Sequence, residues 1–133
     1  MACRQVVRSD SAPAPIGPYS QGLVTRGELV FTAGQAGVDP ATRSVVEGGI
    51  EAQTRQTLGN IEAILKAAGA SLASVVKTTV FLANMDDFPA MNRIYAAAFP
   101  IEPPARTTVQ AARLPMGALV EIEAIALKEE PGD

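Results

Sequence analysis

The run GALVEIEAIAL, residues 117–127, constrains the fold more than any other stretch of the chain. A β-strand points successive side chains to opposite faces of its sheet, so the two faces of this run can be compared. One face is entirely apolar: Val120, Ile122, Ala124 and Ala126. The other carries two carboxylates among apolar neighbours: Leu119, Glu121, Glu123, Ile125 and Leu127. Neither face has the composition of a solvated surface, so we expect a strand covered on both sides and at least one half-buried glutamate.

The periodicity of apolar residues predicts seven elements after an irregular start. The first 22 residues include three prolines within SAPAPIGPYSQG, which predicts an extended or turning segment. The predicted elements are strands 22–25 and 29–33, helix 50–68, strand 75–83, helix 86–98, and strands 106–112 and 118–128. We expect a hairpin turn at Arg26, Gly27 and Glu28, and a second hairpin through RLPMG. The last residues, EEPGD at 129–133, are expected to be frayed.

This order, β-β-α-β-α-β-β, contains no repeat and no linker. It predicts an α+β fold in a single domain, residues 1–133, with two helices packed on one face of one sheet. The final strand is apolar on both sides, so the second face of the sheet must also be covered. A further copy of the chain is the simplest cover, which predicts an oligomer.

Composition excludes several kinds of site. The chain has no histidine and a single cysteine, Cys3, which removes Ser-His catalysis, histidine metal sites and an internal disulfide. The net charge is −3 and no two of the eleven basic residues are adjacent, so we do not expect nucleic acid as a partner. No apolar run is long enough for a membrane span or a signal peptide. We therefore expect a cytoplasmic protein without a metal.

Arg106, Glu121 and Glu123 are the residues best suited to chemistry. Arg106 enters a strand directly after a stiff proline turn, and a rigid guanidinium makes a two-pronged clamp for a carboxylate. The glutamates were expected one strand away by hairpin logic, and a carboxylate in apolar surroundings becomes a usable acid or base. This combination suits hydrolysis of a small 2-imino acid. The structural alternatives are a salt bridge from Arg106 to an acid, and pairing of a glutamate with Arg113.

Three weaker candidates each have an equally simple structural explanation. Tyr19 either caps a pocket or lies in the core. Asn92 is a pocket amide or an ordinary polar group on a helix surface. Gly34 either brings a backbone N–H close to a ligand or merely ends a strand. The glycines of GQAGVDPATRSVVEGG lack the spacing of a phosphate-binding loop.

Five blocks of sequence occur in an order that resembles a known family. They are IGPYSQG, FTAGQ, VVKTTVFL, PPARTTV and LPMGALVEIEAIA, and together they extend from about residue 16 to residue 126. On these blocks the chain resembles the RidA (YjgF) family of reactive-intermediate deaminases. The resemblance implies a chorismate-mutase-like fold with one mixed sheet, assembled as a homotrimer around a central barrel.

The same resemblance implies an activity and a set of site residues. The activity is hydrolysis of 2-iminopropanoate and 2-iminobutanoate to 2-oxo acids and ammonia, without a cofactor, in clefts between subunits. Arg106 is similar to the family's carboxylate-binding arginine, and Glu121 to the glutamate that positions water. The positions implied to line the pocket are Tyr19, Gly34, Asn92 and Thr108. Glu123 would be a structural neighbour.

The chain departs from the family pattern at a few positions. Ala33 stands where many relatives have serine, Thr108 where some have cysteine, and the segment before PPAR is shorter. These differences bear on substrate preference more than on reaction type. The competing functions are a non-catalytic carboxylate-binding or chaperone-like protein and, less favoured by the acidic composition, an endoribonuclease or translation inhibitor.

Overall fold

The computed structural model describes residues 2–129, and a five-stranded mixed sheet is its largest element. The strands of the chain are β1 Cys3–Val7, β2 Gly22–Arg26, β3 Leu29–Phe31, β4 Gln35–Ala36, β5 Val38–Asp39, β6 Ser44–Val45, β7 Val75–Leu82, β8 Ala105–Gln110 and β9 Val120–Leu127. The helices are α1 Gly49–Ala67 and α2 Phe88–Ala98. In the main sheet the order is β3-β9-β7-β8, with β4 also paired to β9. The predicted α+β class, with two helices and a mixed sheet, is confirmed.

Both helices cover one face of this sheet. Alternate residues of β9 are buried, as its sequence predicts, and they share one hydrophobic cluster with residues of both helices. The cluster includes Ile61 and Leu65 of α1, Met91 and Tyr95 of α2, and Val80, Leu82, Val120 and Ile122 of the sheet. The apolar face of each helix therefore packs on the apolar face of the sheet, as the 3.6-residue period requires.

Local sequence explains where the helices begin and end. The side chain of Asn84 accepts a hydrogen bond from Asp86 N at the short turn before α2, and Pro89 lies in the first turn of that helix, where its missing N–H costs nothing. Helix α1 ends at Ala67, and Gly69 then adopts φ +81°, a conformation that glycine reaches without a steric penalty.

Both predicted hairpins are wrong. Strand β2 pairs with β1, whereas β3 pairs with β9, so the strands on either side of Gly27 belong to different sheets. At the other end of the chain, β8 does not lie beside β9, because β7 lies between them. Strand β8 runs parallel to β7, since α2 forms a crossover connection between them.

Two segments outside the main elements also differ from prediction. Strand β1 lies within the first 22 residues, which were expected to be irregular. At the other end, Glu129 is not frayed, because its backbone N–H donates to the carbonyl of Gly69 at 2.9 Å. The rest of the expected frayed tail, 130–133, lies outside the described residues.

The second face of the main sheet carries apolar side chains that this chain leaves uncovered. Phe31 of β3 is 66% exposed and Val109 of β8 is 41% exposed. Glu121, Phe81 and Val109 occupy one row across β9, β7 and β8 on this face. Among residues 2–129, no helix has both the length and the apolar character needed to cross a membrane.

Candidate active site

The side chain of Arg106 lies on the helix-covered face of the sheet, surrounded by three aromatic rings. In register, Arg106 of β8 is opposite Thr78 of β7, whose hydroxyl is hydrogen-bonded to the hydroxyl of Tyr95 on α2 at 2.7 Å. The guanidinium carbon is 4.8 Å from the ring centroid of Tyr95, 5.2 Å from that of Tyr19 and 5.5 Å from that of Phe88. Each ring lies within cation–π distance. The guanidinium is therefore fixed by rings rather than by acids.

The electrostatic environment keeps the positive charge of Arg106 available. Burial lowers the pKa of Arg106, and the phenols of Tyr95 and Tyr19 partly oppose this effect. An arginine nevertheless stays protonated in proteins. Within residues 2–129 no carboxylate forms a salt bridge with Arg106, so the structural alternative raised for it is not found in this part of the chain.

A glycine that the sequence did not single out lies against this guanidinium. A methyl group on Gly17 would be 3.3 Å from Nη2 of Arg106 and 3.5 Å from Nδ2 of Asn92. It would also be 3.5 Å from the Tyr19 ring. Gly17 therefore places its backbone close to three predicted site residues. The only signal in the sequence was its position inside the block IGPYSQG.

Three predicted residues carry buried polar atoms that have no hydrogen-bond partner. Within the described chain these atoms are Oδ1 of Asn92, Nη1 of Arg106 and Oγ1 of Thr108, and only Oγ1 of Thr54 shares this property. Thr108 lies two residues beyond Arg106 on the same strand and therefore on the same face. Buried polar atoms are nearly always paired in native proteins, so a concentration of unpaired ones indicates a ligand site. We call Gly17, Tyr19, Phe88, Asn92, Tyr95, Arg106 and Thr108 the Arg106 pocket.

Glu121 and Gly34 form a second, separate group. Glu121 of β9 is paired in register with Ala36 of β4 and Phe81 of β7, and its side chain is half-buried. A methyl group on Gly34 would lie 2.9 Å from Cδ of Glu121. Gly34 therefore makes room for this carboxylate, a role more specific than ending a strand. Glu123, two residues along on the same face, is exposed.

Within one chain the structure does not bring Arg106 and Glu121 together. Arg106, Thr78 and Ala124 form one row of the sheet, and Glu121 lies three residues further along β9. Three residues along a strand and two strand spacings give about 14 Å between the two Cα atoms. Because three is an odd number, the two side chains also point to opposite faces. The expectation that the glutamate lies one strand from the arginine is wrong.

Other combinations considered from the sequence are absent from the described residues. Arg113 forms no salt bridge with Glu121 or Glu123 between residues 2 and 129, so that alternative is also wrong. Nor do any three Asp, Glu or Cys side chains in this part of the chain form a cluster suited to a metal ion. The groups that this part of the chain offers for chemistry are the guanidinium of Arg106 and the carboxylate of Glu121.

Comparison with known proteins identifies the family of the chain. The family model described as Endoribonuclease L-PSP matches residues 9–128. The chain belongs to the RidA (YjgF) family. The motif blocks had indicated the same family from residue 16 to residue 126, and the match now extends over nearly the whole chain.

Named relatives of this RidA-family chain include an enzyme and two solved structures. It is 47% identical over 125 residues to the mouse 2-iminobutanoate/2-iminopropanoate deaminase, covering 94% of this chain and 92% of that protein. The structure of RidA from the Antarctic bacterium Psychrobacter sp. superposes with a TM-score of 0.73 at 45% identity, covering 92% and 98% of the two chains. The structure of E. coli TdcF with bound serine gives 0.72 at 40% identity, covering 94% and 99%.

Proposed function

We propose that this protein hydrolyses small 2-imino acids, 2-iminopropanoate and 2-iminobutanoate among them, to 2-oxo acids and ammonia. The observation that carries the proposal is the Arg106 pocket, where a half-buried guanidinium lies among aromatic rings and three buried polar atoms, one each on Asn92, Arg106 and Thr108, have no hydrogen-bond partner. The activity named for the mouse relative supports the reaction type. The serine bound to E. coli TdcF supports a small carboxylate as the ligand.

Arg106 binds the substrate carboxylate in this proposal. Its planar guanidinium offers parallel N–H donors that match two carboxylate oxygens, and its low exposure strengthens the interaction. Thr108 can donate to the same carboxylate, while the Asn92 amide supplies a donor and an acceptor at the edge of the pocket. Tyr19 covers the guanidinium, and Gly17 leaves space beside it. The pocket thus selects a small planar anion.

Glu121 activates the water molecule, and it does so from a neighbouring subunit. Because Glu121 and Arg106 lie on opposite faces of one sheet, a complete site requires the Glu121 face of one copy to meet the Arg106 pocket of another. The uncovered apolar side chains on the sheet face that carries Glu121, such as Phe31 and Val109, provide the surface for that contact. We propose a homotrimer, since a head-to-tail contact that closes into a ring repeats the same site at every interface.

The reaction needs no redox step. Water adds to the carbon of the protonated imine, C=NH2+, and Glu121 accepts one proton of the water, which gives a tetrahedral carbon bearing a hydroxyl and a neutral amino group. Glu121 then returns that proton to the nitrogen, and as the C–N bond breaks the hydroxyl proton passes to Glu121, so that ammonia leaves and the 2-oxo acid forms. The role of the protein is to orient the imine and the water and to stabilise the anionic end of the substrate.

The same match supports a broader description of the chain. Because the family model covers residues 9–128, we propose that residues 1–133 form one domain. The single cysteine, Cys3, fits a reducing compartment, and on that basis we propose a cytoplasmic location.

Binding of small 2-oxo carboxylates without turnover is the second candidate function, favoured by the completeness of the Arg106 pocket within one chain.

An assay for imine lifetime tests the proposal. A purified amino-acid dehydratase or oxidase generates the imine, and semicarbazide traps what remains of it. The wild type should lower semicarbazone formation, whereas Arg106→Ala should not. Arg113→Ala serves as the matched control, because Arg113 is an exposed arginine outside the pocket. If folded wild-type protein of trimeric size accelerates the loss of none of several imines, the deaminase proposal fails and the carboxylate-binding alternative replaces it.

A further inference from the structure

Residues 9–19, here called the arm, follow β1 and lead to the Arg106 pocket. Two of the arm's residues lie beside the guanidinium: the ring of Tyr19 has its centroid 5.2 Å from the guanidinium carbon, and a methyl group on Gly17 would be 3.3 Å from Nη2. The geometry of the pocket therefore depends on where the arm lies. Arg106 and Glu121 do not themselves explain what keeps the arm in place.

Apolar packing does not hold residues 9–16 of the arm. Residues 9–16 are all exposed, and Ile16 alone has 83% of its surface open to solvent. Behind the arm is a cavity of about 420 Å³, lined in part by Arg8, Asp10 and Pro103. Three prolines within the arm also lack the N–H that would tie a backbone down. Hydrogen bonds from elsewhere in the chain must supply the attachment.

The side chain of Gln21 supplies the hydrogen bonds that attach the arm. Oε1 of Gln21 accepts from Ser9 N at 2.7 Å, and Nε2 of Gln21 donates to the carbonyls of Pro13 at 2.8 Å, Ser9 at 3.1 Å and Ala12 at 3.3 Å. Within residues 2–129, every hydrogen bond between residues 9–13 and the rest of the chain involves Gln21. Gln21 itself is fixed, because it directly precedes β2 and follows Ser20, whose backbone N–H donates to Pro104 O at 3.1 Å.

We propose that Gln21 is a positioning residue for the Arg106 pocket, acting through the arm. Its amide fixes the far end of the arm, so that Gly17 and Tyr19 stay against the guanidinium before the substrate arrives. The proposal rests on the function assigned to this pocket above. It adds a residue that touches neither the substrate nor the reacting atoms.

Loss of the Gln21 hydrogen bonds should weaken substrate binding more than it slows the chemical step. When the arm is released, Tyr19 no longer confines Arg106, and the guanidinium must be ordered at the expense of binding energy. KM should rise about tenfold, with a much smaller change in kcat. Gln21→Ala removes all four hydrogen bonds. Gln21→Glu keeps the acceptor for Ser9 N but turns an anionic oxygen towards three carbonyls, so it should also release the arm.

Trypsin provides a structural readout that is independent of activity. Arg8 is exposed and directly precedes the arm, so cleavage after Arg8, measured by mass spectrometry, reports whether the arm is released. Cleavage after Arg43, also exposed and far along the chain, is the internal reference. Gln56→Ala is the matched control, because Gln56 bonds only to Asn60 within α1. Cleavage after Arg8 should quicken about tenfold in both Gln21 variants and not in the control.

The combined measurements separate this inference from the proposed function. Faster cleavage after Arg8 together with a raised KM supports the inference. Unchanged cleavage, or faster cleavage with an unchanged KM, overturns it. If the wild type itself hydrolyses no imine, the proposed function fails, and calorimetric titration with 2-oxobutanoate takes the place of KM. In that case equal affinities in wild type and Gln21→Ala overturn the positioning role, and weaker binding in the variant supports it.

Discussion

The guanidinium carbon of Arg106 lies 4.8 Å from the ring centroid of Tyr95, and the Tyr95 hydroxyl is hydrogen-bonded to Thr78 on the neighbouring strand. This contact explains how a half-buried arginine stays available for a ligand. Burial raises the pKa of Tyr95 to about 12, so the phenol is neutral at physiological pH. A neutral ring attracts the cation without neutralising it, whereas a carboxylate in the same position would compete with the substrate.

The raised pKa of Tyr95 predicts a specific loss of stability in alkaline solution. In the unfolded chain the phenol ionises near its ordinary value of 10.0, and in the folded protein near 12. Between these pH values the unfolded chain has released a proton that the native state keeps, so raising the pH favours unfolding. Tyr95 should thus contribute up to about 3 kcal/mol that is present below pH 10 and lost towards pH 12.

Urea denaturation of wild type and Tyr95→Phe across this range measures the contribution. At neutral pH the variant should be less stable by about 1–2 kcal/mol, because Thr78 loses its partner. The difference between the two proteins should then shrink and reverse as the pH rises to about 12. Adding Thr78→Val to Tyr95→Phe should restore part of the neutral-pH stability. Two curves that stay parallel up to pH 12 would show that Tyr95 is not shielded in the folded state.

Thr108→Val should raise the stability of the protein and weaken its binding of substrate. The Thr108 hydroxyl is buried without a hydrogen-bond partner, so replacing it by a methyl group of similar shape removes a desolvation cost of about 1 kcal/mol. The same change deletes a donor for the substrate carboxylate, so KM should rise several-fold. Thermal unfolding and imine-hydrolysis kinetics check the two effects together.

Thr57→Val is the control for Thr108→Val. The hydroxyl of Thr57 is also buried, but it donates to the Gln53 carbonyl at 2.7 Å. Its replacement should lower stability or leave it unchanged, with no effect on KM. A Thr108→Val protein that loses stability as well would mean that its hydroxyl is paired in the assembled protein.

Gly34→Ala should damage catalysis without unfolding the protein. The added methyl group would meet the carboxylate of Glu121, the mobile end of a side chain, so that the carboxylate moves and the backbone does not. Because a displacement of about 1 Å can cost up to about a hundredfold in rate, kcat should fall at least tenfold while the melting temperature changes by only a few degrees.

Gly59→Ala is the matched glycine control. A methyl group on Gly59 would have open space around it, and the residue lies inside α1. This substitution should stabilise the protein by about 0.5–1 kcal/mol and leave kcat unchanged. Wild-type kinetics in Gly34→Ala would remove the contact between Gly34 and Glu121 from the catalytic geometry.

Elements of this fold follow from local sequence, whereas the pairing of its strands does not. The alternation in β9 and the helical period of α1 are local patterns, and both elements formed where they were expected. Pairing partners depend on contacts distant in sequence. RLPMG has the length of a hairpin connection, yet the crossover through α2 places β8 beside β7 and on the far side from β9.

The candidate site shows the same division. Arg106, Asn92, Thr108 and Tyr19 were assigned by motif, and their side chains or unpaired atoms belong to one pocket. Tyr95 and Phe88 were not among the candidate residues, because a ring that surrounds a guanidinium has the same helical spacing as a core ring. Arg106 and Glu121 lie on opposite faces of the sheet because of the register between the strands. No local sequence pattern determines that register.

Mixing two inactive variants tests whether the site is shared between subunits. Arg106→Ala and Glu121→Ala should each lose most imine turnover as homotrimers. When the two proteins are unfolded together and refolded at equal concentration, a subunit with an intact Arg106 pocket can face a subunit with an intact Glu121. For a head-to-tail ring with random assembly, about one quarter of the interfaces should be complete, so about one quarter of wild-type activity should return. A mixture of Glu123→Ala and Arg106→Ala is the control, because Glu123 lies on the same strand as Glu121 and both proteins in this mixture keep Glu121. Activity that stays at the level of the separate variants, in mixed trimers confirmed by native mass spectrometry, would place both residues in sites formed by one chain, or would remove one of them from catalysis.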